Sequence, residues 1–148
     1  MKLSRKILSL VLALAMVMGL ATTAFAEEGG ETTTNGSITI TNALNGETYN
    51  AYQILYLESY NAKENIYAYK ANPTWEDWLK EDSQKQYVSI NDQGYVTWVK
   101  GANAADFAKA AKGQLSDKTA AGHVTPTADG PATISNLKLG YYLVDSTV

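Results

Sequence analysis

The chain has 148 residues, 45% of them hydrophobic, with twelve Lys and Arg against fifteen Asp and Glu, a net charge of −3, a single histidine and no cysteine. That length suits one domain with a real core. Disulfide staples and thiol nucleophiles are excluded, and the acidic balance argues against nucleic acid and anionic membranes, which call for clustered Lys and Arg.

Lys2, Arg5 and Lys6 precede an apolar run from Ile7 to Ala21, and Ala24 and Ala26 then stand in the small-residue pattern that signal peptidase reads. The run falls short of the roughly 20 residues a bilayer crossing needs. Residues 1–26 are therefore expected to be a signal peptide outside the fold, cleaved between Ala26 and Glu27. Cleavage would leave 122 of the 148 residues and, with three basic and no acidic residues removed, take the net charge from −3 to −6. Residues 27–35, Glu-Glu-Gly-Gly-Glu-Thr-Thr-Thr-Asn, contain no apolar residue and read as a flexible leader.

The domain proper should span 36–148. Ile38 and Ile40 alternate with Ser37, Thr39 and Thr41, which predicts a strand with one apolar face. Asn45-Gly46 follows, a strong signal for a type I′ hairpin into the next strand, Thr48 to Tyr60. That strand turns apolar on both faces and should be central or bulged. Asn61–Asn65 reads as a turn and Ile66–Lys70 as a strand. Pro73 to Asp82 has Pro at the first turn and Trp75, Trp78 and Leu79 on one stripe, which predicts a short helix. Gln86–Ile90 and Gly94–Val99 form a second hairpin. Asn103 caps an Ala-rich helix over 102–115 that carries Ala104, Phe107, Ala108 and Ala111 on one face. Ser116–Gly130 reads as a polar connection, Pro131–Leu137 as a strand, and Tyr141–Ser146 as the closing strand, with Leu139-Gly140-Tyr141 turning into it. The closing strand should lie near the opening one. The order β-β-β-α-β-β-α-β-β predicts a mainly β antiparallel sandwich with short helices in its crossovers.

Enzyme signatures are absent from the sequence. His123 lies in a Gly- and Thr-rich stretch with no nucleophile motif beside it. Glu76, Asp77, Glu81 and Asp82 read as the wet face of the first helix rather than paired catalytic acids or a chelating loop. Zinc would need His and Cys ligands that the chain lacks. No catalytic residue, cofactor site or metal site is expected. Trp75, Trp78 and Trp98 are candidates for stacking on sugars, but each lies on an apolar stripe and reads first as core.

The opening Gly36–Leu57, GSITITNALNGETYNAYQILYL, the helix motif Phe-Ala-Lys-Ala-Ala-Lys and the ending ATISNLKLGYYLVDSTV together resemble the N-terminal domain of sortase-assembled pilin subunits of Gram-positive bacteria, the isopeptide-forming fimbrial proteins. The resemblance covers essentially all of the chain after the signal segment. It implies an immunoglobulin-like sandwich, a cell-wall-anchored pilus as the location, other pilin subunits and a class C sortase as partners, and further domains downstream, so that the chain would be truncated before them. The lysine and asparagine that such domains join have no match in the first strand, Ser37–Thr41, or the last, Tyr141–Asp145, so no isopeptide bond is expected within this domain. The pilin-motif lysine and the sorting signal are not seen either. The alternative reading is an adhesin module that binds carbohydrate or host and matrix proteins through its Trp and Tyr residues.

Overall fold

The computed structural model describes residues 12–17, 36–61 and 66–146. The Ala26–Glu27 cleavage point, the leader 27–35 and the turn residues 62–65 lie outside them. The elements in chain order are β1 (Leu12–Val17), β2 (Gly36–Ala43), β3 (Tyr49–Asn61), β4 (Ile66–Ala71), α1 (Pro73–Leu79), β5 (Val88–Ile90), β6 (Tyr95–Trp98), α2 (Ala104–Lys112), β7 (Gly122–Val124), β8 (Gly130–Leu137) and β9 (Gly140–Ser146), with single 3₁₀ turns at Asp82–Gln84 and Leu115–Asp117.

The expected antiparallel, mainly β sandwich is what forms, with its strands divided unequally. A large sheet runs β1-β9-β3-β4-β6-β5, with β7 pairing the start of β3, and β2 pairs β8 in a separate two-stranded sheet. Every pairing is antiparallel. α2 packs against β1 and β9, and α1 against β4. The β2–β8 ribbon faces the large sheet at β7 and β1. Gly122 of β7 lies so close to the ribbon that a Cβ there would come within 2.8 Å of Ile134 and 3.0 Å of Leu137.

This layering follows from the patterns. In β2 the isoleucines are buried and Ser37, Thr39 and Thr41 exposed, and the outer hydroxyls of Thr39 and Thr133 meet at 3.0 Å. β9 is covered on both sides, so Tyr142, Leu143 and Val144 are all buried in succession. β3 is central as expected, and bulged against both neighbours, between Gln53 and Leu55 on the β9 side and between Leu57 and Ser59 on the β4 side. The Tyr142 hydroxyl donates to the Lys138 carbonyl at 2.6 Å, which ties the strand to its preceding turn in the manner of the tyrosine corner of immunoglobulin-like sandwiches.

Both helices start at an asparagine N-cap, expected at Asn103 and not read from the sequence at Asn72. The Asn72 Oδ1 accepts from the Thr74 amide at 3.1 Å, and the Asn103 Oδ1 accepts from the Asp106 amide at 3.0 Å.

Several expectations are corrected. Asn45-Gly46 does form a turn, with the Glu47 amide donating to the Leu44 carbonyl at 3.1 Å. Only Gly46 has positive φ, however, and the flanking strands separate into different sheets, so no type I′ hairpin exists. The closing strand does not pair with the opening one: β8 is the partner of β2, and β9 lies between β1 and β3. The polar connection contains a short strand, β7, which holds His123 opposite Asn50. The expected cleavage after Ala26 is a separate matter, lying outside the described residues; upstream of it, Leu12–Val17 pairs along β9 in the uncleaved chain.

Candidate functional site

The helix layer gathers the aromatic residues. Trp75 and Trp78 meet edge to face at 5.6 Å, and Phe107 of α2 touches Trp78 at 5.6 Å, Tyr87 at 5.4 Å and Trp98 at 5.1 Å. Trp98 continues to Tyr141 of β9, and Tyr141 to Tyr69 of β4. Trp75 is 1% exposed and Trp78 8% exposed, so neither offers a ring face to a sugar. The Lys118 ammonium sits 5.1 Å over the Trp75 ring. Trp98 is half-buried, wedged between Phe107 and Tyr141. Burial keeps the Tyr69 hydroxyl protonated well above the usual tyrosine range, with Tyr141 and Tyr67 adding to the effect.

One buried and one half-buried carboxylate lie within the sheet. Glu58 of β3 is 8% exposed. Register places Tyr56 beside Lys70 and Lys70 beside Tyr95, on the face that Glu58 shares. The Lys70 Nζ stands 3.7 Å from the Glu58 Oε1 and 4.9 Å from the centre of the Tyr95 ring. Interaction with the Glu58 carboxylate holds the Tyr95 hydroxyl above its ordinary value, while the Glu58 Oε1 is buried without a hydrogen bond. The cluster sets one acid against one base and one phenol, with the Lys70 charge offsetting that of Glu58.

The second carboxylate is Asp145 of β9. Its Oδ1 is buried without a hydrogen bond, and the Lys112 Nζ at the end of α2 lies 3.5 Å away. Asn50 of β3 and Leu12 of β1 are its two cross-strand partners. Tyr52 is raised above its ordinary value first by burial and then by the negative charge of Asp145. Here the closing strand, the Ala-rich helix and the first apolar strand converge.

The singled-out polar residues are not brought together. His123 is exposed on β7. Glu76 pairs with Lys80 at 2.6 Å and Asp82 with Lys85 at 2.9 Å, both on the outer surface, while Asp77 and Glu81 are exposed. Among the described residues no group of His, Asp and Glu is placed to hold a metal ion. A shallow cleft of about 430 Å³ runs beside β5, lined by Leu79, Val88, Ile90 and Val99 with Lys80 and Lys85 at its rim. Those two lysines are the ones paired with Glu76 and Asp82, which leaves the cleft no uncompensated charge. Sequence reasoning missed Glu58 and Asp145, because nothing local marks a charged residue that a sheet register will cover, and with Asp145 the exposed Lys112 that pairs with it. Asp145 within Tyr-Tyr-Leu-Val-Asp was the one available signal, an acid following an apolar run. Comparison with family models, curated proteins and solved structures finds no match for this chain.

Proposed function

We propose that this protein is a structural subunit of a sortase-assembled pilus on the surface of a Gram-positive bacterium, with this domain serving as scaffold. The reading rests on the sequence resemblance. The observation that favours it over a sugar-binding adhesin is that Trp75 and Trp78 are spent on the core, locked edge to face beneath Phe107 and Lys118. The Glu58 and Asp145 carboxylates likewise lie against lysines of neighbouring elements, Lys70 and Lys112. In such a fibre the domain bears load and packs against its neighbours, and the linkage chemistry belongs to other regions of the subunit.

The test is an immunoblot of cell-wall extracts from the producing bacterium, using antibodies to residues 36–146. A ladder of high-mass species that survives boiling in detergent, and that disappears when the class C sortase is deleted, is the expected result. A single monomer band in both wall and medium would refute the proposal.

A further inference from the structure

The outer edge of β9 is where the fold and the expected processing of the chain collide. In the uncleaved chain this edge is filled by β1. Leu12–Val17 pairs with Gly140–Asp145 over six consecutive positions without a register shift, whereas the β2–β8, β3–β4 and β3–β9 pairings are each interrupted. The strand lies in a lined slot: α2 contacts both β1 and β9, and β2 approaches β1 from the ribbon side. Apart from Asp145 near its end, β9 carries none of the features that protect a free edge. It has no proline, no lysine and no bulge on this side, and its centre is the buried run Tyr142-Leu143-Val144. Once residues 1–26 are removed, six backbone positions lose their partners. The leader 27–35 has no apolar residue with which to replace them.

We infer that the β9 edge is a strand-acceptor site, which takes an extended, uncharged aliphatic segment of about six residues from another polypeptide as an antiparallel strand, with Leu12–Val17 holding the place until it is cleaved. Main-chain hydrogen bonds supply the affinity. The apolar walls select against charged segments, and the Lys112–Asp145 pair marks the end of the slot at the position opposite Leu12. This inference goes beyond the pilus reading and depends only on the edge being vacated; the immunoblot bears on assembly, and the experiments below bear on the edge alone.

The full chain lacks cysteine, so a designed pair reports without background. Ala13→Cys with Val144→Cys joins register partners and should oxidise to a disulfide in the 148-residue chain produced without export; Ala13→Cys with Leu143→Cys, one residue out of register, should not. In a second arm, Leu14→Asp with Met16→Asp in the full chain vacates the edge, and the peptide LALAMV with terminal lysines for solubility is added. Saturable binding that slows exchange of β9 amides by about tenfold or more is expected. The unsubstituted chain, and a peptide carrying the same two aspartates, should not bind. Failure of the in-register disulfide would overturn the inference without requiring the vacated variant to fold. So would a folded vacated variant that ignores the peptide, or one whose β9 amides are already protected because two copies pair through this edge.

Discussion

Gly140, at the entry to β9, is the position where one added methyl group should do most damage. Its φ is 159°, and it lies opposite Tyr56 where β3 bulges. A Cβ built there overlaps the Leu55 carbonyl oxygen, falls 3.0 Å from the Tyr56 Cα and lies 3.1 Å from the Gln53 Nε2. Two of those three neighbours are backbone, so relief requires the two strands to part. Parting strains the Leu57 amide bond to the Leu139 carbonyl, 3.0 Å, and the Gln53 amide contact to the same oxygen, 3.4 Å. Overpacking at about 1–3 kcal/mol and one or two lost hydrogen bonds at about 1 kcal/mol each give roughly 3–4 kcal/mol for Gly140→Ala, after the ~0.5 kcal/mol that Ala recovers by restricting the unfolded chain. Urea denaturation followed by tryptophan fluorescence should show the midpoint falling by about 1.5–4 M at an m-value of order 1–2 kcal/mol/M. Gly101→Ala is the control: its φ is 81° and nothing lies within 4 Å, so only the left-handed penalty of about 1 kcal/mol applies. If Gly140→Ala costs no more than Gly101→Ala, the close-approach reasoning is wrong.

Phe107→Ala removes the ring that Trp78, Tyr87 and Trp98 share, and should cost about 3–5 kcal/mol in the same assay with a red-shifted native emission; a loss under about 1.5 kcal/mol would show the aromatic layer collapsing to fill the gap. Asn72 both caps α1 and donates its Nδ2 to the Gln53 carbonyl at 2.8 Å, so Asn72→Ala should cost about 2 kcal/mol and Asn72→Ser about half that, since serine keeps the cap alone. Equal losses would deny the bridge to β3. Burial raises the Tyr69 hydroxyl, so the native state holds its proton above pH 10.0 while the unfolded chain releases it. Stability should therefore fall as pH rises past 10, and Tyr69→Phe should flatten that fall. An unchanged slope would place the effect elsewhere.

What the sequence revealed and what it hid divide along one physical line. Alternation at Ile38 and Ile40, the Asn103 cap, and the Trp75–Trp78–Leu79 stripe are local signals, and each element forms where its signal lies. The doubly apolar second half of β3 announced a central strand. Partner choice is not local. Asn45-Gly46 turns the chain as its residues demand, but the burial of Ile38 and Ile40 against the large sheet sends β2 to β8 instead. β7 has three residues and one aliphatic side chain, too little for any periodicity; its ladder comes from the backbone of β3. Ile7–Ala21 is apolar at every period, so composition alone does not distinguish a membrane-inserting helix from a sheet strand. The sites at Glu58 and Asp145 were hidden for the same reason: each exists only through cross-strand register with residues far along the chain.

The two strand pairings that build the sandwich also set a timetable. Thr39 meets Thr133 across 94 residues, and Gln53 reaches Leu139 across 86. Synthesis proceeds from the N-terminus, so β2 and the β9-facing edge of β3 emerge early and wait for β8 and β9. Until then only the β3-β4-β6-β5 part of the large sheet and the two helices have neighbours at hand. Such a chain pays its loop-closure entropy late and all at once, and should fold in milliseconds to seconds rather than microseconds. The sandwich therefore cannot close until β8 and β9 have been made, since the pairings that join its two ends do not exist before then.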